Sequence, residues 1–411
     1  MKIKSIKARE ILDSRGWPTI EVALTTSDCC SKAAVPSGTS TGKYEALELR
    51  DGGKRYYGKG VQKAVSNINK IIAPKIKDRD FTKQKEIDNF LINLDGTKNK
   101  SRLGANAILA VSMTACRLGA KLKKLPLYKY IGKVFNTNLK LPNPCFLMIE
   151  GALHAGNSLD IQEFMISPRG NNFKEKLRAG TEVYHTLGKI LEESYGKAAT
   201  NVGLEGGFTA PMLKKSGKAL DSITKAIKKS GYQKNVKIML DVAASSFLNL
   251  VVYKFEGSAF SKEKLLDFYQ RLISRYPIFA IEDPFSENDF EGFAKINKKL
   301  GKKILIVGDD LLVTNSERVK IAKENKLCNA MILKPNQIGT ITEAIETAKL
   351  AKSFGWKIVV SHRSGETTDD FISDLAVGIS ADFIKTGAPA RGERVAKYNR
   401  LLEIEEELRN E

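Results

Sequence analysis

From residue 139 onward, short apolar runs alternate with amphipathic stretches. CFLMIEG and IQEFMISP come first, then the helical pattern FKEKLRAGTEVYHTLGKILEESYG. VGLEGGF leads to GKALDSITKAIKKS, and KIMLDVAAS leads to EKLLDFYQRLIS. IFAIEDPF, ILIVGDD, AMILKPNQIG, IVVSHRSG and DFIKTGAP are each followed by polar or helical sequence. The runs are nearly continuous, as expected of strands buried on both faces of a parallel sheet. So much alternation in about 270 residues predicts an α/β fold with a closed β/α barrel. An open doubly wound sheet is the fallback, but no GxGxxG follows any strand.

The first part reads as α+β. IKSIKAREILDSRGWPTIEVALTT holds two strand-like runs joined by the turn Asp13-Ser14-Arg15-Gly16. The stretch from Ser37 to Gly42 is small, polar and glycine-rich, and nothing in it can anchor a core, which predicts a mobile loop. Helical periodicity returns in GKGVQKAVSNINKIIAPKI, QKEIDNFLINLD and LGANAILAVSMTACRLGAKLKK. NLKLPNP, with Pro142 and Pro144, is the natural joint. It divides an N-terminal α+β domain, 1–138, from a C-terminal barrel, 139–411.

A length of 411 residues suits two domains or one large barrel with an appendage. The balance of 42% hydrophobic and 28% charged residues is that of a globular enzyme. No run of eighteen apolar residues exists, which argues against a membrane span. MKIKSIKAREILDSRG has no apolar signal core, so a cytoplasmic location is expected. Cys29, Cys30, Cys116, Cys145 and Cys328 lack zinc-knuckle spacing and read as incidental thiols in a reducing compartment. The net charge of +20 comes from scattered lysines, as in KIIAPKIKDRD and KKLGKK, with no aromatic-interleaved basic block. That reads as a solvated surface that steers anionic ligands, with no nucleic-acid partner required.

Polar residues recur where the apolar runs end. Glu163 ends IQE, Glu205 ends VGLE, Asp241 ends KIMLD, and Glu282 and Asp283 end IFAIED. Asp309 and Asp310 end ILIVGDD, Lys334 ends AMILK, His362 and Arg363 end IVVSHR, and Lys385 ends DFIK. In a β/α barrel these ends converge on one mouth. One such residue is more often a cap or an ion pair. A whole set in phase is hard to explain as structure alone, because charges are rarely buried without partners. Asp241, Glu282 and Asp309 form an all-oxygen set suited to Mg²⁺; zinc would prefer His and Cys, and the chain has three histidines. A lysine near a second lysine and a dication loses its proton more readily, so Lys334 or Lys385 is a candidate general base. A dication, a lysine base and a separate carboxylic acid suit proton abstraction next to a carboxylate, through an enediolate.

The chain resembles the enolase family over nearly its full length. The resemblance rests on ILDSRGWPTIEV, VPSGTSTGKYEALELRD, NKSRLGANAILAVSM, HAGNSLDIQEFMI, IEDPF, VGDDLLVTN, LKPNQIGT, SHRSGETTDDFISDLAVG and KTGAPARGERVAKYNRLLEIEEEL. The LKPNQIGT form resembles archaeal members. A Lys or His base with one or two Mg²⁺ is the known arrangement of enolase-superfamily sites. The resemblance implies a small α+β domain packed on an atypical barrel that begins ββαα. It implies reversible dehydration of 2-phosphoglycerate to phosphoenolpyruvate, two Mg²⁺ per active site, and assembly as a homodimer or octamer. Lys334 resembles the base that takes the C2 proton, and Glu205, with Glu163 beside it, the acid that helps the C3 hydroxyl leave. Asp241, Glu282 and Asp309 resemble the ligands of one Mg²⁺, and Ser40 the residue whose loop brings in the second. Lys385 and His362 match substrate-contacting positions, Arg363 and Ser364 a phosphate-binding pair, and His154 a loop histidine that closes on substrate. Glu205, flanked by Leu204, is expected to have its pKa raised by desolvation.

Five positions, in four stretches, depart from the family pattern. Leu204-Glu205-Gly206-Gly207 stands where the family usually has Asp-Glu-Gly-Gly. Glu150-Gly151-Ala152 stands where it usually has Asn-Gly-Gly. Trp17 and Met212 each replace a usual Asn. An alternative from another class is therefore an enolase-like paralog of weakened activity that binds RNA or a protein through its basic surface. A third reading, a dehydratase of another acid, is disfavoured by Arg363-Ser364 and the SGTSTG loop.

Overall fold

A computed structural model describes residues 2–39, 42–81 and 83–410, with Leu153 described in its backbone alone. Near the N-terminus, β1 (Ser5–Leu12), β2 (Pro18–Thr25) and β3 (Cys30–Ala34) form an antiparallel sheet. Ile20, Val22 and Leu24 alternate inward from β2 and meet the helix Ala105–Leu122. The β1–β2 turn is built by Asp13, whose Oδ1 accepts from Arg15 N at 2.8 Å and Trp17 N at 3.1 Å. Gly16 takes a left-handed φ of 76° there, which explains a glycine at that point.

The second sheet is a closed eight-stranded barrel. Its strands are β4 (Asn143–Glu150), β5 (Glu163–Pro168), β6 (Val236–Asp241), β10 (Ile278–Glu282), β11 (Leu305–Gly308), β12 (Ala330–Leu333), β13 (Lys357–Ser361) and β14 (Phe383–Lys385). Strands β4 to β6 pair antiparallel; from β6 round to β14 and back to β4 the pairing is parallel. The helices Phe173–Tyr195 and Ser216–Lys229 lie between β5 and β6, which gives the ββαα start. Strands such as β5 and β12 are buried throughout, as their unbroken apolar runs require.

Two sequence expectations change. Glu163 opens a strand instead of closing one. Because β5 runs antiparallel to its neighbours, its first residue still reaches the mouth where the others end. Glu205 ends no strand: residues 204–206 are a turn, tied down by bridges Val202↔Phe208 and Ile149↔Phe208. Three elements go unanticipated: strand β3, the helix Leu127–Phe135, and a small sheet of β7 (Leu248–Asn249), β8 (Val252–Phe255) and β9 (Ser258–Phe260). Among the described residues, no helix is long and apolar enough to cross a membrane. The cysteines are free, three of them buried.

The N-terminal part is anchored over the barrel. Arg117 grips Asp369 through two hydrogen bonds, at 2.6 and 2.9 Å. Buried Asp88 accepts from Thr342 N at 2.9 Å, at the start of the helix Ile341–Ser353. Ser37 exchanges backbone hydrogen bonds of 2.8 and 2.9 Å with Gly365, and Thr39 N donates to Ser364 Oγ at 2.8 Å. The first residues of the glycine-rich loop are thus held against the mouth. Ser40, expected to act with the second Mg²⁺, lies outside the described residues.

Candidate active site

The strand register places a row of carboxylates across the mouth. Glu150 of β4 stands beside Glu163 of β5, Glu163 beside Asp241 of β6, and Asp241 beside Glu282 of β10. A cavity of about 230 Å³ opens over this row. Its lining includes His154, Glu163, Glu205, Asp241, Asp309, Lys334, His362, Arg363, Ser364 and Lys385, together with Glu45 from the N-terminal part. Glu282 lies fully buried beneath, in contact with Lys385. Every expected site residue among the described ones is therefore brought to one place.

The ammonium of Lys385 sits among the acids. Its Nζ lies 2.9 Å from both carboxylate oxygens of Glu282, 3.1 Å from Asp241 Oδ2 and 3.4 Å from Glu163 Oε2. Lys334 Nζ pairs with Asp309 Oδ2. Burial alone would make both lysines give up their protons. The facing carboxylates outweigh it and hold both pKa values above the ordinary lysine range. Among the side chains, acids and not the second cation dominate each ammonium; the lowering expected from a dication is a separate contribution. Glu163 and Glu282 are pushed well up by burial, and next by Asp241 in the case of Glu282.

This donor set fits a hard cation. Asp241, Glu282 and Asp309 supply oxygen alone, and the mouth also carries Glu163, Glu205, Asp283 and Asp310 against the cations Lys334, Lys385 and Arg363. Two of the three expected ligands already enclose a positive charge, the Lys385 ammonium. Among the described residues, the tightest possible ligand groups are His154–Glu163–Glu205 and Asp283–Asp309–Asp310, each with atoms within 4.8 Å of one another. The expected trio is spread wider, with Asp241 and Glu282 drawn to Lys385 and Asp309 to Lys334.

Glu205 is aimed by Glu150, His154 and His362, all singled out in the sequence, and by Arg394, which sequence reasoning misses. Its N–H and that of Gly207 both donate to Glu150 Oε1, at 2.9 and 2.7 Å. Its carboxylate lies between two imidazoles, with His154 Nδ1 3.5 Å from Oε1 and His362 Nε2 3.1 Å from Oε2. Arg394 is fully buried, and its Nη1 lies 2.7 Å from His362 Nδ1. A guanidinium can only donate, so Nδ1 accepts and the imidazole proton sits on Nε2, facing Glu205. Burial pushes His362 down to about 3, so it is neutral. Burial would also raise Glu205, as Leu204 suggests. His362, His154 and Arg394 overcome that and hold Glu205 well below the usual carboxylate range. The rest of the Arg394 head group donates to the carbonyls of Arg363 at 2.7 Å, Ser364 at 2.6 Å and Leu204 at 3.1 Å. It joins the Glu205 turn to the His362 loop.

Similar support surrounds Lys334. Thr314 Oγ1 accepts from Lys334 N at 2.9 Å and donates to Gln337 Oε1 at 2.8 Å, while Gln337 Nε2 donates to Asp309 Oδ1 at 2.9 Å. Asp283 accepts from the N–H groups of Asp309 and Asp310, at 2.9 and 2.8 Å. Gln337 was within reach of sequence reading, three residues after Lys334 in LKPNQIGT. Arg363 forms a fork to the Glu45 carboxylate, at 3.0 and 3.2 Å, the geometry in which guanidinium binds carboxylate or phosphate.

Glu150 itself is fully buried. Burial first, then the Glu205 charge, push its carboxyl up to about 8. A carboxyl raised on folding binds its proton more tightly in the folded chain than in the unfolded one. Stability therefore falls as pH rises from about 4.5 towards about 8. Glu150→Gln, which cannot ionise, should gain on the parent over that window by at most about 1.4 kcal/mol per pH unit. Urea midpoints measured across pH check this, and a pH-independent difference would contradict it.

Two family models cover the chain: "Enolase, N-terminal domain" matches residues 3–131 and "Enolase, C-terminal TIM barrel domain" matches residues 138–411. An enolase of Methanopyrus kandleri is 54% identical over 413 residues, spanning 99% of this chain and 96% of the relative. An enolase of Methanocaldococcus jannaschii is 55% identical, with the same coverage. One from Solanum lycopersicum is 53% identical, spanning all of this chain and 96% of the relative. With both domain models matched and the expected acids and lysines gathered at one barrel mouth, the chain belongs to the enolase family.

Proposed function

We propose that this mouth carries out the enolase reaction with Lys334 as base and Glu205 as acid. The chain is a phosphopyruvate hydratase, a hydro-lyase that interconverts 2-phosphoglycerate and phosphoenolpyruvate. The assignment of roles rests on one observation: Lys334 and Glu205 line the same cavity on separate partners, one tied to Asp309, the other to two imidazoles. Lys334 Nζ takes the C2 proton, the electron pair forms the C2–C3 double bond, and hydroxide leaves C3 as water with a proton from Glu205. Glu205 rests as a carboxylate, so it must be protonated before dehydration and is ready to take a proton from water in the reverse direction. Glu163 lies beside it. The Arg363 fork and Ser364 receive the phosphate in place of Glu45 and Thr39. Lys385, His362 and His154 face the rest of the substrate. Mg²⁺ held by Asp241, Glu282 and Asp309, with a second ion at the Ser40 loop, would supply positive charge where the enediolate develops. A homodimer or octamer, a cytoplasmic location and a joint between residues 138 and 139 belong to the same reading.

The phosphate assignment is open to a direct test. Glycerate lacks the phosphate and leaves the Arg363 fork without a ligand, so its kcat/KM should lie at least about 100-fold below that of 2-phosphoglycerate. Comparable use of both acids would overturn the reading in favour of another acid dehydratase.

A further inference from the structure

The Glu150 carboxyl reaches the turn that carries Glu205. Its Oε1 takes the N–H groups of Glu205 and Gly207, on either side of Gly206, at 2.9 and 2.7 Å. The pocket is shaped for this group. A Cβ at Gly203 would come within 2.3 Å of Glu150 Oε2, and one at Gly207 within 2.9 Å of its Cγ. Asn157 holds the Glu150 carbonyl at 2.8 Å, and Glu150 N donates to Phe208 O at 3.0 Å, so the side chain starts from a fixed backbone. Oε2 is buried without a hydrogen-bond partner. The group is thus committed to the turn through a single oxygen.

We propose that Glu150 is a positioning residue for Glu205: one buried carboxyl oxygen gathers the two N–H groups that flank Gly206 and so fixes the turn that carries the acid. An Asn at 150 is one methylene shorter than Glu, and a shorter arm leaves two buried N–H groups without their shared acceptor. Glu150 touches no substrate. Its effect falls on the geometry of proton transfer at Glu205, where a small misplacement is costly. The inference rests on Glu205 being the leaving-group acid.

The test compares Glu150→Asn and Glu150→Gln in the full-length protein, each read for kcat and KM of dehydration and for C2 proton exchange. Glu150→Asn should lower kcat by about tenfold or more while KM moves less than about threefold. C2 exchange, which needs Lys334 and not Glu205, should persist. Parental kcat in Glu150→Asn would overturn the proposal, and so would equal loss of C2 exchange and dehydration in the folded variant, which would reduce Glu150 to a general structural role. If Glu150→Asn does not fold, Glu150→Gln decides: it keeps the acceptor and should stay within about threefold of the parent, and a loss of kcat of about tenfold there would overturn positioning. Failure of the underlying role of Glu205 shows separately, as parallel loss of both readouts in Glu205→Gln.

Discussion

Replacing Lys334 with Ala should abolish C2 proton exchange and lower dehydration by about 10⁴-fold, the upper range for loss of a positioned base. The other strand-end lysine at the mouth is not free to substitute. Lys385 is committed to Glu282, Asp241 and Glu163, and its distances to them are all 3.4 Å or less. Lys334 shares its charge with Asp309 and is held protonated by it. The base can therefore work only once that pairing is loosened, and Asp309 is an expected Mg²⁺ ligand. The variant frees the Asp309 carboxylate from its partner, so Mg²⁺ binding measured by calorimetry should survive or tighten. Exchange of the C2 proton, followed by loss of deuterium from labelled substrate, separates the base from everything after it. Retained exchange in a folded variant would refute the role.

Glu205→Gln should split the two halves of the reaction. The amide keeps the shape of the side chain between His154 and His362 but neither gives nor takes a proton. Dehydration should fall by about 10³-fold, with C2 exchange reduced by less than about tenfold. The imidazoles do not rescue it. His362 presents Nε2–H to the carboxylate because Arg394 occupies Nδ1, and burial keeps the ring neutral. Equal loss of exchange and dehydration would mean that Glu205 supports the whole site and is not the acid.

Much of this site was legible because barrel geometry turns a one-dimensional regularity into a place. Asp241, Glu282, Lys334, His362 and Lys385 each close an apolar run or follow it directly, and parallel strands carry all such ends to one mouth. Glu163 was found for a reason that proved inverted, since strand direction leaves no local mark in an unbroken apolar run. Glu205 was found through its chemistry, although the chain there is a turn stabilised by the distant Glu150. Arg394 was missed. It lies in the helix Gly392–Arg409, and its burial depends on loops nearly two hundred residues away in sequence, at Leu204, and on the His362 loop. The charge states could not be read from residue types either. Leu204 suggested a raised Glu205, but two imidazoles and a guanidinium reach it through space. The β7–β9 sheet has strands of only two to four residues, too short to show a period, whereas the helix Leu127–Phe135 carries one in buried Tyr128, Ile131, Gly132 and Phe135 and was legible.

The most direct test of the central claim is turnover of 2-phosphoglycerate by the purified protein, followed as the ultraviolet absorbance of phosphoenolpyruvate, with Mg²⁺ and with chelator, across pH. Mg²⁺-dependent turnover is the expected result, and it would show that Leu204 and Glu150 leave Glu205 competent. A folded protein that binds Mg²⁺ yet forms no phosphoenolpyruvate at any pH would contradict the account.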